Sequence, residues 1–276
     1  VADSVAFAGH PYALDPDGTE AALGALDSAA VRRYADAHLV SSRLLVVVVG
    51  NVARPAVEAA VRRTFGRLPR GAYAWALPPA APSQARDLAR RGAATMLQRP
   101  FATNYVLGVF QGPPASSRDV PAFRVATALY GARLHQAVRE QRGLSYAAYA
   151  PFLDRGVTGA MMYMSTTQPR TALGLAREQL AALRAPSEAG GSLRFFTDQF
   201  VGDYLAGNMT SAAQADFLAR AELYEGDFRR ATRAMDALRG VTPGDVRAAA
   251  QRYLTRPHFV YLGDTTRVDR KAFAEF

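Results

Sequence analysis

Six apolar residues run unbroken from Leu44 to Val49 and stop at Gly50-Asn51, a pattern that predicts a short buried strand followed by a turn. Upstream, Ala30, Val31, Tyr34, Ala35 and His38 recur at helical spacing behind Asp27. The Asp27 carboxylate can accept the unpaired amides of a first turn, so a helix is expected up to about Leu39, with His38 on its apolar side near the end. Pro55 suits the first turn of a second helix that reaches Phe65. Between Leu68 and Pro82 the pattern breaks. Pro69, Pro78, Pro79 and Pro82 remove backbone donors there, and the stretch reads as a linker.

Beyond the linker, strands are expected over Ala93 to Gln98 and Asn104 to Phe110, then a helix from Val120 to Gln141. Two more strands, Ser145 to Phe152 and Gly159 to Thr166, flank a turn at Asp154-Arg155-Gly156. Helical patterns follow over Arg170 to Leu183, Leu193 to Asn208, Ser211 to Tyr224, Asp227 to Leu238 and Pro243 to Tyr253. A last strand, His258 to Leu262, is stopped by Gly263-Asp264.

The two ends of this list repeat each other. Leu26-Asp27-Ser28-Ala29-Ala30-Val31-Arg32 resembles Val241-Thr242-Pro243-Gly244-Asp245-Val246-Arg247. Val31 to Val246 and Leu39 to Leu254 share one spacing of 215 residues, and each copy continues through an apolar run into a glycine turn. This is the signature of a duplicated domain of about 200 residues. Too little chain precedes the linker for a full copy. The expected organisation is the closing part of a first domain over 1–68, a linker over 69–83 and a complete second domain over 84–276.

Composition acts mainly by exclusion. The chain has 276 residues, a net charge of +9 and a pI near 10.1, which raises nucleic acid as a partner. Its cations are arginines scattered singly or in pairs, with Lys271 the one lysine. A nucleic-acid surface would more often cluster them in a stripe, so none is expected. Cysteine is absent, which excludes disulfides and thiolate metal sites. No apolar run approaches the roughly 20 residues that span a bilayer, and the opening at Val1 shows no secretory leader. A soluble chain of the bacterial cytoplasm or periplasm is expected, with the compartment open.

The segment Leu134-His135-Gln136-Ala137-Val138-Arg139-Glu140-Gln141-Arg142-Gly143-Leu144-Ser145-Tyr146 strongly resembles the Arg-to-Tyr segment in the C-terminal domain of the pitrilysin, insulysin and mitochondrial-processing-peptidase family of inverzincins. His10-Pro11-Tyr12, Gly18-Thr19 and the region from Val46 to Gly50 resemble the end of that family's N-terminal domain. The resemblance covers nearly all of the chain. It implies related α+β domains, each an antiparallel sheet with helices packed mainly on one face. It also implies peptide hydrolysis by zinc held on an inverted His-x-x-Glu-His helix plus a distal Glu. The chain departs from that pattern at the decisive point: His10, His38, His135 and His258 lie far apart and none stands in the motif. The chain alone is therefore expected to hold no metal and to have no catalytic residue of its own, with zinc in a catalytic half of the same protein or in a partner subunit. Such an assembly would be a zinc metalloendopeptidase. The alternative is a degenerate binding or scaffold subunit that pairs with an active zinc-bearing chain; a homo-oligomer is a further option.

The resemblance singles out Arg139 and Tyr146 as substrate-binding residues. With a left-handed cap at Gly143, the helix stops and both side chains emerge at one corner. In active relatives the equivalent pair reaches toward the zinc, where guanidinium and phenol grip the peptide backbone and the oxyanion. Read without the resemblance, Arg139 and Arg142 are helix C-terminal charges and Tyr146 an ordinary strand aromatic. His10, before Pro11, is expected to be a hydrogen-bonded loop residue. Phe101, Tyr105, Phe110, Tyr149 and Phe152 fit core positions or a peptide surface, core being the commoner fate of strand aromatics. An exposed sheet edge would offer main-chain pairing to an extended peptide.

Overall fold

A computed structural model describes residues 1–76, 94–186 and 190–276. The chain divides into two compact units, one of Val1–Leu14, Pro78–Val201 and Ala234–Phe276, the other of Asp15–Leu77 and Gly202–Arg233.

The first unit opens with a short helix α1 (Ala2–Ala6). Later come α5 (Val120–Leu134), α6 (Pro169–Arg184) and α10 (Pro243–Tyr253), together with most of α7 (Gly190–Gly207). They accompany a six-stranded sheet of β1 (Thr95–Gln98), β2 (Asn104–Pro114), β3 (Ser145–Tyr149), β4 (Phe152–Leu153), β5 (Val157–Thr166) and β6 (His258–Gly263). The order is β1-β6-β2-β5-β3, with β4 paired to β5. All pairs are antiparallel except β1 with β6. The α+β class follows from this, with one parallel edge added to the antiparallel sheet.

Strand alternation decides which face is core. Val106, Phe110, Met162, Met164, Phe259 and Tyr261 point to one side and are buried against Phe123, Leu134 and Leu173 from α5 and α6. Phe110 meets Tyr130 edge to face, with centroids 6.2 Å apart, a pairing favourable by about 0.5–1.5 kcal/mol beyond burial. The Tyr130 hydroxyl is satisfied by the Met162 sulfur at 2.9 Å and the Ala176 carbonyl at 3.3 Å. No helix of the described residues is long and apolar enough to cross a membrane.

On the opposite face Ala6 and Phe7 pack on Val109 and Val157 at one end. This anchorage explains the His-Pro-Tyr turn. Pro11 starts a 3-10 turn, His10 Nδ1 accepts the Tyr12 amide at 3.1 Å, and the Gly156 amide donates to the Tyr12 hydroxyl at 3.1 Å. Arg155 lies over the rings of both Phe7 and Tyr12 and pairs with Asp3. His10 is thus the hydrogen-bonded loop residue expected.

The second unit holds α2 (Glu20–Gly24), α3 (Ser28–His38), α4 (Arg54–Arg63) and α8 (Ser211–Glu225). A further helix, α9 (Arg230–Arg239), runs across the division between the units. The predicted cap holds, with Asp27 accepting from the Ala30 amide, and Thr19 caps α2 in the same way by accepting from the Ala22 amide. The predicted strand does not. Leu44 to Val49 is extended, with Leu45, Val47 and Val49 half-buried and Leu44, Val46 and Val48 exposed, yet it joins no ladder among the described residues. An apolar run becomes a strand only where a partner takes its backbone groups. Val31, Tyr34 and Leu39 are exposed, and His38 stacks on Tyr34 rather than entering a core. The described start of the proline-rich stretch lies back on the chain, with the Ser41 amide bonded to Pro69 O and Ser42 to Arg70 O. Pro78, Pro79 and Pro82 lie outside the described residues.

The two segments matched in sequence share local geometry. α3 and α10 each begin at a side-chain cap, Asp27 or Thr242, and end at leucines of nearly equal conformation, Leu39 (φ −83°, ψ 69°) and Leu254 (φ −82°, ψ 54°). The apolar run after each ends in a glycine at φ +155° (Gly50) or +151° (Gly263), a region closed to other residues.

Candidate functional site

Two irregularities bring Arg139 and Tyr146 together. The expected helix to Gln141 is α-helical only as far as Leu134; His135–Glu140 is a π-helix, in which the Gln141 amide reaches back five residues to Gln136 O. A π turn takes more residues per turn and resets the direction of the side chains that follow it. The backbone then closes with Gly143 N to Arg139 O and Leu144 N to Val138 O, both 2.9 Å, with Gly143 at φ +59°. The second irregularity is in β3. Ser145 pairs with Thr166 and Ala147 with Ser165, so Tyr146 is the extra residue of a β-bulge. The Ser145 hydroxyl bridges the bulge by donating to Ala147 O at 2.7 Å. Tyr146 is consequently 83% exposed, and the Arg139 guanidinium lies over its ring at 4.9 Å. Arg142 is exposed beside them.

The sheet face opposite α5 and α6 continues from this corner. Tyr149 stacks on Tyr163 across the β3–β5 pair, centroids 4.9 Å apart, and Phe101 meets Tyr105 edge to face. The Tyr163 phenol is held above its ordinary pKa by burial, then by Tyr149 and Tyr105. The candidate aromatics therefore divide: Phe110 and Phe152 belong to the core, whereas Phe101, Tyr105 and Tyr149 are exposed. Tyr163 was missed from sequence, although its place in the β5 alternation marks it. The outer edge of β3 is partly occupied, because His135 Nδ1 lies 3.3 Å from Ala148 O.

The family model for the peptidase M16 inactive domain matches residues 25–189. The chain belongs to this family. Among relatives, an uncharacterised zinc protease of Streptomyces coelicolor is 28% identical, covering 89% of this chain and 55% of that protein. One of Mycobacterium leprae is 27% identical, covering 91% and 57%. The chain thus spans about half the length of the curated relatives it matches. The same fold occurs in the crystal structure of the peptidase M16 inactive domain from Pseudomonas fluorescens, with a TM-score of 0.78 at 19% identity over 94% of this chain and 62% of that one.

The described residues do not supply a ligand set for the zinc those relatives are named for. Among the described residues no three His, Cys, Asp or Glu side chains gather as a metal site. His135 has Glu140 at 3.6 Å and no second histidine, whereas a zinc centre needs at least three protein ligands.

Proposed function

We propose that this chain is the non-catalytic C-terminal region of a pitrilysin-like zinc metallopeptidase, closing the peptide-binding chamber and helping to bind substrate for hydrolysis. In this reading residues 1–68 end a first peptidase-like domain, 69–83 link, and 84–276 form the second, inactive domain. The observation that carries it is the exposed Arg139–Tyr146 pair, held by a π turn and a bulge at the border of an open aromatic face. A planar guanidinium and a phenol both donate, and neither has a structural duty in the core. They suit a peptide carbonyl and the oxyanion that develops from it. The zinc and its general base belong to the catalytic half or to a partner subunit.

The absence of His-x-x-Glu-His from the chain also favours a second reading, a binding or scaffold subunit paired with an active zinc-bearing chain. The two differ in where the metal is encoded and share the same site. The test is to combine this chain, in cis or in trans, with a zinc-bearing M16 half and follow chelator-sensitive cleavage of a peptide. Cleavage that requires this chain supports the proposal; cleavage indifferent to it, or none in any pairing, overturns it.

A further inference from the structure

One end of the sheet collects arginines. Gln98, Gly263, Asn104, Thr166 and Ser145 lie there at the ends of five neighbouring strands, in register. Just beyond them stand Arg99, Arg267, Arg170, Arg139 and Arg142. Among the described residues, the carboxylates Asp264 and Glu140 share this rim. Asp264 is engaged by Arg267 at 3.3 Å and by the Thr266 hydroxyl at 2.7 Å, and Glu140 faces His135. Among the described residues Arg99, Arg139, Arg142 and Arg170 enter no ion pair, and all four are exposed. The Arg99 guanidinium donates only to its neighbouring carbonyl, Gln98 O, at 2.8 Å. The same end carries Phe101, Tyr105 and Tyr146, which are also exposed.

We infer that this arginine rim selects peptide substrates bearing carboxylate side chains. The inference rests on the peptide-binding reading above and adds the substrate class. Its physics is electrostatic complementarity: several like charges around one surface raise the local concentration of oppositely charged ligand and penalise cationic ones. Each guanidinium also offers a planar fork matched to a carboxylate. The flanking phenyl and phenol rings take up the apolar stems of the same peptide. A peptide is favoured over a nucleic acid because the rim is short and lies at the end of a sheet in a peptidase-family domain.

The experiment is fluorescence anisotropy on the full chain with labelled, C-terminally amidated peptides that differ only in carrying glutamates, glutamines or lysines. A neutral peptide with a free C-terminus and a single-stranded DNA of matched charge are further probes. The expected result is that the glutamate peptide binds about tenfold more tightly than the glutamine peptide, with the gap closing at high salt. Arg99→Gln combined with Arg142→Gln and Arg170→Gln should remove the preference, while Arg62→Gln with Arg63→Gln, on α4, should not. Equal binding of glutamate and glutamine peptides overturns the inference and leaves the peptide-binding reading standing; binding of none of the peptides overturns both. An equal loss in the α4 variant assigns the effect to net charge and overturns the rim. Rim-dependent DNA binding as tight as that of the glutamate peptide overturns the peptide assignment, and a preference for the free C-terminus over side-chain carboxylates overturns the stated class.

Discussion

The Arg139 guanidinium lies 4.9 Å from the centre of the Tyr146 ring although they stand seven positions apart in sequence, because a π turn, a left-handed glycine and a β-bulge intervene. Tyr146→Phe removes only the hydroxyl from a side chain that contributes nothing to the core. In an assembly with the catalytic half it should lower turnover by about 10²- to 10³-fold, the cost of one oxyanion donor, with circular dichroism and melting unchanged. Arg139→Lys should also fail, since an ammonium lacks the planar fork. Steady-state kinetics on both variants checks this, and normal turnover in both returns the pair to a helix-end charge and a surface aromatic.

Gly143 has open space around the position of a Cβ, so its demand is conformational rather than steric. At φ +59°, Gly143→Ala should cost about 1–2 kcal/mol, read as a lowered urea midpoint. The larger effect should be on peptide binding, because the turn that delivers Tyr146 to the bulge relaxes. Gly143→Asn, which tolerates this region better, should fall between the two.

The chain by itself should bind no stoichiometric zinc and cleave no peptide, as no three ligating side chains gather among the described residues. Metal analysis after equilibration with zinc, together with a chelator-controlled peptidase assay, decides this. One tightly held zinc per chain with chelator-sensitive cleavage would reject it.

Leu44 to Val49 presents Val46 and Val48 to solvent at 39% and 50% exposure, without a ladder partner among the described residues. Such a segment seeks another strand. Concentration-dependent association is expected in sedimentation velocity. Replacing both valines by lysine should abolish it while leaving the sheet's melting transition in place; a monomer at all concentrations would contradict the expectation.

Stability should fall at alkaline pH. Burial, with Asp119 accepting from its hydroxyl, pushes the Tyr253 phenol up to about 12; burial and Asp264 do the same for Tyr261. Both folded-state values lie above the ordinary 10.0, so the stabilisation is complete below pH ~10 and is lost as the pH rises toward 12. Urea midpoints measured between neutral and alkaline pH should therefore decline. Tyr261→Phe should be less stable at neutral pH, losing bonds to Asn104 and Asp264 O, but flatter in its pH dependence.

Helices were legible from the chain because their hydrogen bonds close within it. Pro243–Tyr253 has the predicted bounds, enforced by a capping box between Thr242 and Asp245. The shared local geometry of the two matched segments was equally legible, since Asp27 and Thr242, Leu39 and Leu254, and Gly50 and Gly263 each act on their own few neighbours. Family membership lay in the spacing of Arg139, Gly143 and Tyr146. What the sequence left open depends on distant partners. Tyr105 and Phe110 occupy one strand, and only the pairing of β2 with β5 and β6, with helices on one side, sends the first to the open face and the second to the core. The bulge at Tyr146 exists because Ser145 and Ala147 pair with consecutive residues of β5. Leu44 to Val49 has the composition of a buried strand and is not one, because a strand's backbone bonds belong to its neighbours and none is supplied among the described residues.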